Sequence, residues 1–419
     1  MRILYLHPQA WTGEYPILAR LRDLGHQVFV LEERRGLEQG KRHAADHFRV
    51  PGDGIATLWY DPRRGWKRLL TWGLDRIFRR AFGGRNLVHR MCVIAEAARR
   101  FSPEIIVCSD GFMYAVPAAF LKRLGIVKAK LIISYIGGDI LDAPEAEYGQ
   151  RRTPMVTWLI RVSLREADVL RPVSPMLAEA LAHEGADAGR IRICPSHLVA
   201  PAADLEQVRQ HRAGIRAEIR RRYGIPDDAP LVVTLSGNQK GKGVHVLAAA
   251  WPSVVRRLSG ARWLLCGPAH PWLDQEVWPR LRERSAESTV IATGALKGIV
   301  VFEHLAAADL NVNPTLCEGL NMVTVEAAAV GTPTVTSDGA GIADWVQRYQ
   351  AGAVVPRGEV GALADAIISA FRNRDELRRW SAASLSMSSE FSLDRVASTL
   401  LALMSGDPAS TIQRQRSNA

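Results

Sequence analysis

The chain has 419 residues, 47% of them hydrophobic, and a formal net charge of +11. That length suits about two to three globular domains with real cores, and no run approaches the ~18 consecutive apolar residues of a membrane-spanning helix. Five scattered cysteines, Cys92, Cys108, Cys194, Cys266 and Cys317, show no C-x-x-C spacing, which argues against a disulfide framework and against a zinc site of that kind.

The N-terminal stretch MRILYLHPQAWTG has no apolar region followed by a small-residue cleavage site, so a cytoplasmic chain is expected. It opens a βαβ unit: MRILYLHP is a strand, WTGEY a turn, PILARLRDLGH a helix ending at Gly25, and QVFVLEE a second strand. Residues 51–100 then hold 11 Lys/Arg against 4 Asp/Glu. Within them WKRLLTWGLDRIFRRAF (66–82) sets Trp66, Leu69, Leu70, Gly73, Leu74, Ile77, Phe78, Ala81 and Phe82 on one helical face, opposite Lys67, Arg68, Arg76, Arg79 and Arg80. Core packing with a solvated charged face is the commoner explanation of such a basic amphipathic helix; the functional readings are attachment to an anionic membrane surface at the inner membrane face or capture of an anionic acceptor. No nucleic-acid reader motif accompanies the charge, so a nucleic-acid partner is not expected.

Alternation continues through EIIVCSDG (104–111), the helical AVPAAFLKRLGI, KLIISYIGGD (130–139), a helix over TPMVTWLIRVSLREA, and the strands DVLRPVS and IRICPS (191–196). From 199 to 228 the chain turns polar and basic and reads as a linker leading into a helix. A second series comes next: LVVTLSG, a helix over GVHVLAAAWPSVVRRLSG, ARWLLCGP, a helix over DQEVWPRLRERS, VIATGAL, VVFEHLAAAD, LNVNPT and GAVVPRG. Alternating strands and helices imply an α/β protein with two doubly wound, Rossmann-like domains, and the cleft they face is the expected active site. The expected boundaries are 1–198 for the first domain, 199–228 for the linker and helix, and 229–385 for the second domain. A C-terminal helix over 386–405 returns to the first domain, and 406–419 is a disordered polar tail.

The stretch CEGLNMVTVEAAAVGTPTV (317–335) places two carboxylates, Glu318 and Glu326, in an otherwise apolar setting. LNVNPT reads as a strand, LCEGLN as a loop with Gly319 as its flexible point, MVTVEAAAV as a helix and Gly331 as its C-cap. The helix N-terminus offers unpaired N–H groups around Asn321, Met322 and Val323 and favours anions. Eight residues span at most ~12 Å if helical. That length suits a diphosphate at the helix tip, a sugar beside Glu318 and a ribose diol beside Glu326. On spacing alone, a solvated loop glutamate and a helix glutamate with a local partner are the commoner explanation of the pair. SGNQKGKGVHV (236–246) has a strand ending in a Gly-containing loop with Lys240 and Lys242, which suits a diphosphate, although lysines in such a loop are more often simply solvated. Gly13 precedes the first helix. Gly137-Gly138-Asp139 and Asp110 come just after strands of the first domain, where each aspartate fits either a sugar or acceptor hydroxyl or a helix cap.

EGLNMVTVEAAAVGTPTVTSDGAGIADWV resembles the E-x7-E signature of the retaining glycosyltransferases of family four (glycosyl transferases group 1), which have the GT-B fold. The resemblance rests on Glu318-Gly319, Glu326-Ala327, Gly331-Thr332-Pro333, Val335 and the Gly-rich turn behind them. It implies that Glu318 contacts the donor sugar, that Glu326 binds the ribose hydroxyls, and that amides of Asn321, Met322 and Val323 meet sugar and phosphates. Lys242-Gly243 matches the family's Lys-Gly. Gly237, Lys240, Gly13 and Gly294 fall among the implied donor contacts, Asp139 among the catalytic ones, and Asp110, Gly137 and Gly138 on the acceptor side. Relatives often have a His or a Gly-Ser-Asp at 137–139. Two further departures stand out: Leu320-Asn321-Met322 replaces Phe-Gly-Leu, so that the Asn321 side chain either adds a donor contact or alters which sugar fits, and Asn238 replaces an arginine in a shorter loop.

The resemblance implies a metal-independent enzyme that moves a sugar from a nucleoside diphosphate-sugar, UDP first and GDP next, to a hydroxyl acceptor with retention. The acceptor is a lipid-linked or surface saccharide, or a small-molecule glycoside. The nucleotide-sugar is a substrate, and no cofactor is expected. Competing readings are a non-catalytic GT-B subunit that binds a nucleotide-sugar or a partner, and a sugar phosphorylase or synthase using the same cleft.

Overall fold

Runs such as Ile105–Cys108 and Leu231–Leu235 show no polar alternation, the pattern of parallel strands covered on both faces. The computed structural model describes residues 1–7, 13–33, 55–60, 73–76, 86–149, 154–236 and 240–406. It divides into two units. Met1–Asp142, Gly149–Val199 and the segment from Leu393 onward form the first, and Ala143–Tyr148 with Ala200–Ser392 the second.

Along the first unit lie β1 (Arg2–Leu6), α1 (Tyr15–Asp23), β2 (Gln27–Glu33), β3 (Ala56–Tyr60), α2 (Leu87–Phe101), β4 (Ile105–Cys108), α3 (Ala115–Arg123), β5 (Lys130–Tyr135), α4 (Pro154–Glu166), β6 (Val169–Pro172) and α5 (Pro175–His183). The strands are parallel in the order β3-β2-β1-β4-β5-β6, with Ile3 opposite both Val28 and Ile105. The order therefore reverses between β1 and β4, the switch point where such sheets open a crevice at their carboxyl edge. Ile3, Tyr5, Leu18, Val107 and Ile132 build the core.

Two differences from the sequence reading concern this unit. Residues 191–196 form no strand: they run beside β6 with a single bridge, Ile191 to Leu170, and the bonds from Arg192 N to Leu170 O and from Cys194 N to Pro172 O. The edge strand β3, by contrast, is an element that the sequence reading does not include. Of the basic segment 66–82 only 73–76 is described, so its two faces lie outside the described residues. Among the described residues no helix is long and apolar enough to cross a membrane.

The second unit begins with α6 (Ala202–Gln210) and α7 (Arg212–Arg222), where a linker and one helix were expected. Their arginines recur at 209, 212, 216 and 220, roughly one per turn. They donate to main-chain carbonyls: Arg209 to Ala329, Arg212 to Ala306 and Gly331, Arg216 to Ala307, and Arg220 to Pro226 and Ala229. This basic segment is thus part of the unit's own structure. Next along the chain come β7 (Leu231–Leu235), α8 (Val244–Arg257), β8 (Arg262–Cys266), α9 (Pro271–Glu276), α10 (Trp278–Glu283), β9 (Val290–Gly294), α11 (Ile299–Ala307), β10 (Leu310–Asn313), α12 (Met322–Ala329), β11 (Thr334–Ser337), α13 (Ala343–Tyr349), β12 (Gly352–Val355), α14 (Val360–Arg372) and α15 (Arg374–Ser388). The parallel order is β9-β8-β7-β10-β11-β12, with the switch point between β7 and β10. Trp251 and Trp263, both fully buried with ring centroids 5.6 Å apart, anchor its core. The last helix, α16 (Leu393–Ser405), belongs to the first unit, where Val396, Leu400, Leu403 and Met404 join the core.

Candidate functional site

Two loops flank the switch point of the second unit, one after β7 and one after β10. Gly237 and Asn238 in the first loop lie outside the described residues, which resume with the tight turn Lys240–Lys242. Gly243 has φ +71°, and a Cβ there would lie 1.8 Å from the Pro314 carbonyl oxygen, so only glycine lets the two loops approach. Leu316 N donates to Gly241 O at 2.7 Å, tying them further. The outcome is that Lys242 Nζ forms an ion pair with Glu318 Oε1. Glu318 is itself clamped through its main chain, since its N–H donates to Gly339 O (2.9 Å) and its C=O accepts from Gly341 N (3.0 Å). Gly339 has no room for a side chain: a Cβ would sit 2.4 Å from Leu316 O. Glu318 Oε2 is buried and has no hydrogen-bond partner. Lys240 is exposed.

The β10 loop ends at Asn321, the N-cap of α12, with φ +79°. Asparagine is the non-glycine residue that best tolerates this left-handed conformation. Its side chain compensates for the strain by local bonding: Oδ1 accepts from Thr324 N at 3.2 Å and Nδ2 donates to Thr315 Oγ1 at 3.0 Å. Within the protein, then, Oδ1 serves the helix cap and Nδ2 holds Thr315. The N–H groups of Met322 and Val323, in the first turn, have no acceptor within the helix. Glu326 lies one turn on, half-buried, and burial pushes its carboxyl up to about 7, with Lys242 opposing and Glu318 adding to the shift. The helix ends at Val330, and Gly331, with φ +75°, occupies the position after the C-cap. Gly294 closes β9 with φ +76°, its carbonyl accepting from Gly267 N at 3.0 Å.

At the carboxyl edge of the first unit's sheet, Asp110 Oδ1 accepts the N–H groups of Phe112 (2.9 Å), Met113 and Tyr114 (3.3 Å) in the turn that leads into α3. Its Oδ2 is buried without a partner, and burial raises the carboxyl above its usual range. Asp139 is more deeply committed: it accepts from Gly111 N (2.8 Å), Gly137 N (2.9 Å) and Ile136 N (3.2 Å), and burial still raises it to about 6. A hydroxyl contact and a main-chain cap were both open for Asp139, and in the structure its carboxylate binds main-chain N–H groups of two loops. Gly137 is buried in that knot and Gly138 is half-exposed. Gly13 adopts φ +63° and packs so closely on Val199 that a Cβ would lie 2.4 Å from a Val199 methyl. Beside it, sequence reasoning missed a buried ion pair, Arg171 to Glu14 at 3.7 Å, and the buried His197, whose imidazole is driven down to about 3 by burial and by Arg171. Among the described residues no group of three or more His, Cys, Asp or Glu could hold a metal ion.

Residues 15–197 match the model of the glycosyl transferase 4-like domain and residues 229–373 that of glycosyl transferases group 1. The chain is 28% identical over 320 residues to the GDP-mannose-dependent alpha-(1-6)-phosphatidylinositol monomannoside mannosyltransferase of Mycobacterium tuberculosis, covering 74% of this chain and 79% of that one. It is 30% identical over 224 residues to the D-inositol 3-phosphate glycosyltransferase of Nocardia farcinica, covering 52% and 48% of the two chains. In structure it resembles Anabaena HepE in complex with UDP, with a TM-score of 0.73 at 16% identity over 97% of this chain and 100% of that one. With its two parallel α/β units and both family models in place, the chain belongs to the GT-B glycosyltransferases of family four.

Proposed function

We propose that this glycosyltransferase moves a hexosyl group from a UDP- or GDP-sugar to a hydroxyl acceptor with retention at the anomeric carbon. The observation that carries the reading is the Lys242–Glu318 ion pair at the switch point, beside the free first-turn N–H groups of α12 and with Glu326 farther along that helix. A diphosphate suits Lys242 and the helix tip, and its arrival exchanges one anionic partner of Lys242 for another. Glu318, released from the lysine, then accepts sugar hydroxyls, and Glu326 accepts a ribose diol. As the bond from the anomeric carbon to phosphate oxygen breaks, charge grows on the leaving diphosphate, and Lys242, Lys240 and the helix tip stabilise it. The acceptor oxygen bonds to the same face of that carbon, and its proton passes to the departing phosphate oxygen. These protein charges take the place of a divalent ion. The UDP complex of the structural neighbour and the GDP-mannose dependence of the mycobacterial relative support a pyrimidine or guanine donor.

The test is release of nucleoside diphosphate from a panel of UDP- and GDP-sugars, with and without hydroxyl acceptors. Glu318→Gln and Lys242→Ala should each lower kcat by about 10²-fold or more, and excess EDTA should leave the wild-type rate unchanged. No release from any donor would sink the transferase reading, and an inverted anomeric coupling in the product would sink retention.

A further inference from the structure

We propose that Arg212 is a positioning residue for the donor, holding α12 from the end opposite the ligand. The inference rests on the reading that α12 presents its N-terminus to the diphosphate. This helix has eight residues and no basic side chain in its own last turn. Its C-terminal carbonyls are instead met by arginines from another part of the chain. Arg209 Nη1 donates to Ala329 O at 3.0 Å, and Arg212 Nη1 to Gly331 O at 3.0 Å. Arg212 also donates through Nη2 to Thr332 Oγ1 (3.3 Å) and through Nε to Ala306 O at the end of α11 (3.0 Å). Thr332 Oγ1 in turn donates to Leu305 O at 2.7 Å, and Ser381 Oγ donates to the same Gly331 carbonyl at 2.6 Å.

One planar guanidinium thus fixes the ends of α11 and α12 together, a fork geometry that a point charge cannot reproduce. Because α12 is only about 12 Å long, a shift at Gly331 is carried to Met322 and Val323. The cations also stabilise the negative end of the helix dipole whose positive end faces the diphosphate. Arg220, two turns farther along α7, provides a control within the same helix. It is almost fully buried and binds Pro226 O, Ala229 O and Asp309 but nothing in α12.

The experiment measures UDP and GDP affinity by calorimetry, donor KM, kcat and Tm for wild type, Arg212→Gln, Arg212→Lys and Arg220→Gln. Arg212→Gln should weaken nucleotide binding and raise donor KM by about three- to tenfold, with kcat within about twofold. Arg212→Lys should recover part of the loss. Arg220→Gln should lower Tm at least as much and leave nucleotide affinity unchanged. Equal affinity in Arg212→Gln and wild type, or equal losses in Arg212→Gln and Arg220→Gln, would overturn the proposal. Should Arg212→Gln not fold, the partly exposed Arg209→Gln takes its place with the same expected direction and the same refuting results. Wild-type protein that binds neither nucleotide, or binding unaffected by Lys242→Ala and Glu326→Gln, would instead refute the donor-site reading itself.

Discussion

Glu326 is pulled in two directions by its surroundings. Burial raises its carboxyl to about 7, against a usual value of 4.5, even though Lys242 lowers it. With the folded-state value above the unfolded one, the native protein binds more protons between those two values, so the stability this group confers falls as pH rises from 4.5 through about 7. Holding a ribose diol by accepting from both hydroxyls requires the opposite, ionised form. Nucleotide affinity should therefore drop as pH is lowered from about 8 to 6, while thermal stability at the higher pH suffers from the buried charge. Glu326→Gln should flatten the pH dependence of UDP and GDP binding and raise stability at pH ~8 by on the order of 1 kcal/mol, with no gain near pH ~5. Calorimetry and thermal unfolding across that range check both, and an unchanged slope in the variant would count against Glu326 as the titrating group. Asp139 shows why chemistry at this scale was only half legible. A carboxylate just past a strand reads the same whether it faces a ligand or its own main chain, and what decides is where the N–H groups of Gly111, Ile136 and Gly137 lie in space.

At the scale of elements, most of the strands and the E-x7-E helix were legible because their residues agree locally: apolar runs bounded by Gly and Asn, and a small-residue helix ended by Gly331. Asn321 departs from the family's glycine yet keeps the backbone that glycine would have, through its left-handed conformation and its cap. Asn321→Gly should accordingly be mild, within about 1 kcal/mol, whereas Asn321→Ala loses the cap and keeps the strain and should cost about 2 kcal/mol or more. Denaturant unfolding distinguishes them, and equal costs would contradict the assigned role. Only one of the basic helices α6 and α7 was legible, because their sequence has few apolar residues and resembles a solvated linker. The repeat 209, 212, 216, 220 was the available signal, but the partners of its first three members, carbonyls more than 90 residues away, are invisible to any local pattern.

On the scale of the whole molecule, the two sheets have the same strand order, and their parallel, doubly wound class, though not the edge strand β3, was legible from alternation. Membership of the units depends on long-range packing instead, which is how Leu393–Ser405 comes to complete the core of the unit that begins the chain. Lys130 reinforces this closure, with Nζ donating to Leu403 O at 2.7 Å and Met404 O at 2.9 Å at the end of α16. Val396, Leu400, Leu403 and Met404 are each at most 3% exposed, and burying side chains of this kind contributes about 1.5–3 kcal/mol each. The sum is comparable to the ~5–15 kcal/mol that holds a typical domain together. A chain ending at Ser392 should therefore lose the first unit selectively. Amides of β1, β4 and β5 should exchange rapidly with solvent while those of β7, β8 and β10 stay protected, and one of the two thermal transitions should vanish or fall by more than about 15 °C. Because Lys242, Glu318 and Glu326 all lie in the second unit, the shortened chain should still bind UDP or GDP while transferring no sugar. Full protection of β1 and β4 in that chain would show that α16 is an accessory rather than part of the first unit's core.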